Sequence, residues 1–283
     1  MLIHEKTAIV TGCSSGFGRV AALELAKRGW QVFATVRKEA DQESLLAEAT
    51  TMGCANELHP IICDITQPEQ VAELAQRVAE TTPRLDALLN NAGTAFAAPL
   101  ELLPLDDLRA QFEVNVVAQL AVIQAMLPLL KPAKGTIINV SSISGRLSTP
   151  ITGAYSASKF ALEALSDALR LELAPFGVRV VLIEPGSSPT TIWQTGMQRA
   201  QKLLEEQRDG PYARPLRRVE QMGKRSSTTG FPPHLFATTV IKILSSKHPR
   251  ARYAIPRSSA LVIALRRFLP ERVWDALLRL LFG

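Results

Sequence analysis

The chain has 283 residues, 47% of them apolar and 20% charged, with a formal net charge of +6. These values describe a soluble globular protein with enough apolar surface for a full core, and they exclude disorder and a collagen-like fibre. No basic segment leads into an apolar signal core and no run of roughly eighteen apolar residues occurs, so a spanning helix and secretion are not expected and a cytoplasmic location is. Three scattered cysteines, Cys13, Cys54 and Cys63, make neither a disulfide framework nor a spaced metal site and read as reduced, buried thiols. His4, His59, His234 and His248 lack ligand spacing, so no metal is expected. The positive charge is local: residues 250–283 hold seven arginines against Glu271 and Asp275, so an anionic partner would meet the C-terminus.

In chain order, residues 7–10 are a short apolar run ending in a glycine-rich turn, after which Val20, Leu23, Leu25 and Ala26 mark a helix closed by Gly29. Apolar runs return at 31–36, 58–63, 85–89, 136–140 and 178–183, bounded by turn residues and separated by helix-length sequence. Strands buried on both faces read this way. With a further strand expected at 253–256, the pattern predicts an α/β fold, a doubly wound, Rossmann-type parallel sheet of six to seven strands with helices on both faces. Ligands of such sheets bind beyond the carboxyl ends of the strands. Residues 1–256 are read as one dinucleotide-binding catalytic domain, and the polar stretch at about 187–233, with one helical piece near 192–207, as a substrate lid.

Residues 257–283 are read as an amphipathic helical extension. Leu261, Leu265, Phe268 and Leu269 share a helical face before Pro270; beyond it, Trp274, Leu277, Leu278 and Leu281 share one side and Arg272, Asp275 and Arg279 another. The pattern fits docking on the chain's own body or on another subunit in the first place, and peripheral contact with a membrane in the second. The arginines favour an anionic bilayer over nucleic acid, for which no binding module is present.

Three motifs carry chemistry. Thr11-Gly12-Cys13-Ser14-Ser15-Gly16-Phe17-Gly18 lies between the first strand and helix, where glycines permit a tight turn and let backbone N–H groups approach a pyrophosphate. After the second strand, Arg37 stands where an NAD-preferring protein would place an acid; with help from Arg19 it would pair with a 2′-phosphate, which predicts NADP(H) over NAD(H). Tyr155 and Lys159, four apart on one helix face, form an acid–base pair in which the ammonium and an oxidised nicotinamide would lower the phenol's pKa. Ser142 follows the preceding strand and can hold a substrate oxygen, while Asn115 is a mid-helix polar residue that needs a reason.

Together these elements resemble, over roughly residues 5–190, the short-chain dehydrogenase/reductase family in its Tyr-x-x-x-Lys form. The resemblance implies a catalytic tetrad of Asn115, Ser142, Tyr155 and Lys159. It assigns the cofactor to Gly12, Ser14, Ser15, Gly16, Phe17 and Gly18, to Arg37, to Asp64 and Ile65, to Asn91, Ala92 and Gly93, to Tyr155 and Lys159, and to Pro185, Gly186 and Thr190. Hydride transfer between NADP(H) and a carbonyl or secondary alcohol is the implied activity. Residues 32–37, Glu184-Pro185-Gly186 and Ile192-Trp193 look like the branch acting on hydroxysteroids, retinoids and other lipophilic alcohols, with Ser142, Leu147, Trp193 and Phe96 as substrate-pocket candidates. A reductase of long-chain acyl or sphingoid ketones keeps the same catalytic residues, and a non-catalytic NADP(H)-binding sensor would not need them. The family resemblance also implies a homo-oligomer, built through the long helices near 106–130 and 155–174.

Overall fold

A computed structural model describes residues 5–189, 192, 195–196, 205–207 and 209–282. Seven strands form one sheet: β1 Thr7–Val10, β2 Gln31–Val36, β3 Leu58–Ile62, β4 Ala87–Asn90, β5 Thr136–Val140, β6 Arg179–Pro185 and β7 Arg252–Ile255. Every pairing is parallel, in the order β3-β2-β1-β4-β5-β6-β7. The order reverses between β1 and β4, which opens a crevice at their carboxyl ends, the switch point of a Rossmann-type sheet.

Both faces of the sheet are buried, which explains the unbroken apolar runs. Ala8 and Val10 pack with α1 (Gly16–Ala26) and α2 (Glu39–Thr51), whereas Ile9 between them packs on the other face with α3 (Pro68–Thr81) and α5 (Ala118–Ala133). Alternation along the strand sends neighbours to opposite layers, and both layers are apolar. A helix, α4 (Leu105–Phe112), runs through a π-helical turn at Glu113–Val117 into α5. By length and composition the run 105–133 could cross a membrane. Val122, Ile123, Met126 and Leu130 are fully buried in the core, so here it is a sheet-covering helix.

The helix α6 (Gly153–Glu172) follows β5, and β6 leads into the segment read as a lid. That excursion is closed at its neck: Ser187 O accepts from Phe231 N at 3.0 Å and Ser188 Oγ donates to Phe231 O at 2.8 Å. It contains α7 (Ala213–Thr229) and is followed by α8 (Pro233–Ser245). Most of the helical piece expected at 192–207, including Trp193, lies outside the described residues, as does Thr190. Phe17, in the glycine loop, stacks on Phe231 at 5.5 Å and on Phe236 of α8 at 4.5 Å, so the neck and the loop share one aromatic stack.

After β7 come α9 (Arg257–Phe268) and α10 (Glu271–Phe282). Their faces differ from expectation. On α10 the inward residues are Trp274, Leu278 and Phe282, spaced by four, while Leu277 and Leu281 are exposed. On α9 the apolar face expected to dock points outward, with Leu261, Leu265 and Phe268 all exposed.

Phe236 is fully buried in that stack. Phe236→Ala should cost about 3–5 kcal/mol in urea unfolding and weaken dinucleotide binding, because Phe17 loses its support; an unchanged midpoint would refute the packing role.

Candidate active site

The glycine loop is held by side chains from neighbouring strands. Thr11 Oγ1 accepts from the amides of Asn91 and Ala92 at 3.0 Å each, and Asn91 Nδ2 donates to the carbonyls of Thr11 and Gly12 at 2.9 and 3.1 Å. Gly12 N donates to Thr35 Oγ1 at 3.1 Å. These bonds tie the loop to the ends of β2 and β4, on both sides of the switch point. Glycine is needed for space as well as conformation. Gly12 has φ +72°, and a Cβ there would lie 2.8 Å from Ala92 Cα; a Cβ on Gly18 would fall on Gly12 O and Asn91 Nδ2. The loop therefore lies directly against Asn91-Ala92 and leads into α1, whose first turn carries no acidic residue. Backbone N–H groups at such a helix start suit a phosphate.

One cleft of about 380 Å³ runs across the carboxyl edge. It is lined by Gly12, Ser14, Ser15, Gly16, Phe17, Arg37, Asp64, Ile65, Asn91, Ala92, Gly93, Ser142, Tyr155, Lys159, Pro185 and Gly186, which brings nearly all the sequence-assigned residues together. Gly18 packs behind the loop. Leu147 departs from expectation: it is buried but does not line the cleft, because its amide closes a turn on Ile143 O and the turn folds against α6. Phe96 does line it, with Ala110 and Val114. The glycine cradle, the helix start and the length of the cleft fit a dinucleotide.

At the far end, Asp64 Oδ1 accepts from Thr66 N and Oγ1 at 3.0 and 2.8 Å. Arg37 is exposed on the cleft rim. Arg19, expected to assist it, is shared between α2 and the glycine loop: its Nε meets Glu48 Oε2 at 2.6 Å, its Nη2 donates to Ser44 O at 2.8 Å and its Nη1 donates to Ser14 O at 3.4 Å.

The chemical end is buried. Ser142 follows β5, Ser144 N donates to its Oγ at 3.0 Å, and its hydroxyl also hydrogen-bonds Tyr155. Tyr155 and Lys159 are 6% and 3% exposed. Lys159 Nζ donates to Val140 O at 2.8 Å and lies 5.8 Å from the Tyr155 ring centroid. Burial pushes the Tyr155 phenol up to about 12, opposed by the Ser142 hydrogen bond, and pushes Lys159 down to about 8, opposed by Glu163. The expected lowering of the phenol's pKa is thus not a property of the protein alone, since desolvation outweighs the Ser142 hydrogen bond. What the chain itself presents is a protonated phenol beside a hydroxyl, a proton donor.

Asn115 lies in the π-helical turn and is fully buried. Its Nδ2 donates to Thr94 O and Ser158 Oγ, both at 3.0 Å, and its Oδ1 accepts from Thr94 N at 2.9 Å. It ties the loop after β4 to α6. A π-bulge widens the hydrogen-bond register, and such bulges cluster at functional sites.

Sequence reasoning missed the charge cluster behind Lys159. Glu163, one turn along α6, and Glu184, at the end of β6, are 5% and 3% exposed. Two arginines share them: Arg252 Nε is 3.0 Å from Glu163 and 3.6 Å from Glu184, and Arg146 Nη1 is 3.1 Å from Glu184 and 3.8 Å from Glu163. Arg252 also meets Asp167 at 2.6 Å. The cluster joins the turn after Ser142, the helix bearing Tyr155 and Lys159, the strand before Pro185-Gly186, and β7. The one sequence signal was Glu163, four residues past Lys159 on the same helix face.

Residues 6–201 match the family model for short chain dehydrogenases. The NADPH-dependent 3-dehydrocapnine reductase of Ornithobacterium rhinotracheale is 33% identical over 275 residues, covering 95% of this chain and 94% of the relative. Retinol dehydrogenase 5 of Mus musculus is 34% identical over 292 residues, covering 95% and 86%. Among solved structures, a short-chain dehydrogenase from Streptomyces avermitilis superposes with a TM-score of 0.74 at 26% identity, covering 98% of each chain.

With its pKa near 8, Lys159 loses its ammonium as pH rises through that value, while Tyr155 stays protonated. The kcat/KM for carbonyl reduction should therefore fall on an alkaline limb near pH 8. Removing the Glu163 charge leaves Arg146 and Arg252 to repel the ammonium, so Glu163→Gln should move that limb to lower pH. A limb that stays put while thermal stability drops would make Glu163 a structural residue only.

Proposed function

The chain belongs to the short-chain dehydrogenase family, and from that premise we propose that it is an NADP(H)-dependent reductase or dehydrogenase acting on a lipophilic carbonyl or secondary alcohol. The observation that carries this reading is the Tyr155–Ser142 hydrogen bond at the cleft, with Lys159 one turn further along the same helix. An oxidoreductase needs a group to move a proton where the oxidation state of carbon changes, and this hydroxyl pair supplies it. Bound at the glycine loop, the nicotinamide dinucleotide supplies or accepts the hydride.

In the reductive direction Ser142 Oγ hydrogen-bonds the substrate oxygen and Tyr155 Oη donates the proton that completes the alcohol. Lys159, fixed by Val140 O, holds a positive charge beside the phenol and stabilises it once deprotonated. Proton return runs toward Lys159, and Asn115 holds the adjoining loop against α6 so that this path keeps its shape. In the oxidative direction the same groups act in reverse, with Tyr155 as base. With the phenol pushed up to about 12, Tyr155 stands as a proton donor at neutral pH, and its use as a base needs a further positive charge nearby.

Three further features support the finer reading. Arg37, exposed at the cleft rim, suits a 2′-phosphate, and one relative is named as NADPH-dependent. Phe96, Val114 and Ile192 give the substrate end an apolar lining, and another relative is named a retinol dehydrogenase. Exposed Val117, Phe160 and Leu171 on the helices at 105–133 and 153–172 suit self-association.

Tyr155→Phe should fold and bind dinucleotide yet lose at least about a hundredfold in turnover; full turnover in that variant refutes the mechanism. Arg37→Ala should reduce kcat/KM with NADPH by about 10- to 100-fold and leave NADH little changed, whereas equal losses with both cofactors would remove the phosphate assignment. A panel of ketosteroids, retinal, long-chain keto compounds and small hydrophilic ketones tests the substrate class. Turnover confined to the last group ends the lipophilic reading.

A further inference from the structure

The C-terminal helices α9 and α10 carry eight of the large apolar side chains that stand exposed on the described surface. Leu261, Leu265 and Phe268, at 72%, 49% and 81% exposure, occupy one face of α9, and Val273, Leu277 and Leu280 reach 45%, 39% and 84% on α10. Singly exposed apolar residues are ordinary, but faces repeated at helical spacing on two successive helices are not. The hairpin between them is a fixed body. Arg266 Nη2 meets both Glu271 carboxylate oxygens at 2.6 and 2.8 Å, its guanidinium lies 5.5 Å from the Trp274 ring, and Val273 and Trp274 donate to Pro270 O.

Its inner side is anchored at two points beside the cleft. Ser259 Oγ lies 2.5 Å from where a Cβ on Gly186 would stand, so α9 starts against the Pro185-Gly186 turn. Phe282, at the end of α10, is buried with Leu216 and Val219 of α7, with Ala97, next to the cleft residue Phe96, and with Ile151. Ile151 has φ +72°, costly for a β-branched residue, and lies four residues before Tyr155. The hairpin is therefore an outer wall of the site, satisfied inward and bare outward.

Charge identifies what covers the bare side. Together α9 and α10 hold five arginines against two acids, a basic surplus on the hairpin itself. A second copy docked face to face would oppose one basic apolar surface to another, because a two-fold contact pairs like with like. An anionic lipid surface complements both properties, taking the apolar side chains between its headgroups and the arginines against its phosphates.

We propose that the outer face of the α9–α10 hairpin is a docking surface for an anionic membrane, seating the mouth of the cleft at the lipid boundary. Only the corollary, that the substrate enters from the lipid, rests on the lipophilic reading above; the docking itself does not.

The full chain is floated with phosphatidylcholine vesicles with and without phosphatidylglycerol, and binding to the anionic vesicles should be at least about tenfold stronger and fall with added salt. The double variant Phe268→Glu, Leu280→Glu, changed at highly exposed positions, should lose flotation while keeping its turnover of a water-soluble ketone and its melting temperature. Light scattering on both forms reads the competing occupant. No flotation of the parent chain, or equal flotation of parent and variant, overturns the proposal. A parent that does not float but forms a larger assembly than the variant assigns the face to a second copy and overturns it too. Because flotation is read without substrate or cofactor, its failure is distinct from failure of the catalytic assignment.

Discussion

An ammonium held away from water is among the costliest groups a fold can carry, and the architecture around Lys159 is organised to keep one. Val140 O at the end of β5 accepts from it, Glu163 lies one turn along its helix, and Arg146 and Arg252 neutralise the carboxylates they share behind it. The same arrangement fixes Tyr155 against Ser142. Geometry and electrostatics are thus one problem here: the helix that buries the lysine is the helix that aims the phenol. The price of desolvation appears as a lysine pulled toward neutral pH and a phenol pushed away from it.

The rest of the site follows from the sheet. Parallel strands ending at a common edge deliver Gly12, Arg37, Asp64, Asn91, Ser142 and Pro185 to one cleft without any of them being close in sequence. The reversal of strand order between β1 and β4 leaves room there for a ligand. Asn91 then closes the glycine loop by bonding two of its carbonyls, so the cradle is built from both sides of the crevice. Phe17 extends that support to the neck of the lid segment, linking the start of the first helix to residues more than two hundred positions later.

The C-terminal hairpin shows that an amphipathic pattern can identify an apolar face and leave open what covers it. The periodicity of Leu261, Leu265 and Phe268 identifies an apolar face, but periodicity alone does not say whether a face meets protein. On α9 the inward contacts are made by Ser259 against Gly186, and the apolar face is left outside. On α10 the predicted apolar side divides: Leu278 and Phe282 pack beside α7, Trp274 is buried near Arg266, and Leu277 and Leu281 are exposed. Arg19 is a comparable case: it keeps its place beside the glycine loop through Ser14 O, but its position in sequence gave no hint that Glu48 and Ser44 share the same guanidinium.

What the sequence determined by itself was everything whose physical cause is local. A strand buried on both faces must be apolar throughout, a turn packed against Asn91-Ala92 must contain glycine at Gly12 and Gly18, and a phenol and an ammonium on one helix face must be three or four residues apart, so strands, loop and the Tyr155–Lys159 pair were all legible in order. What only the tertiary structure decided was everything that depends on which surfaces meet. The pairing of Glu163 and Glu184 with Arg146 and Arg252 joins residues separated by up to 89 positions. The burial that moves two pKa values and the outward turn of the last two helices are of the same kind, because desolvation and contact belong to the assembled layers and to no single stretch of chain.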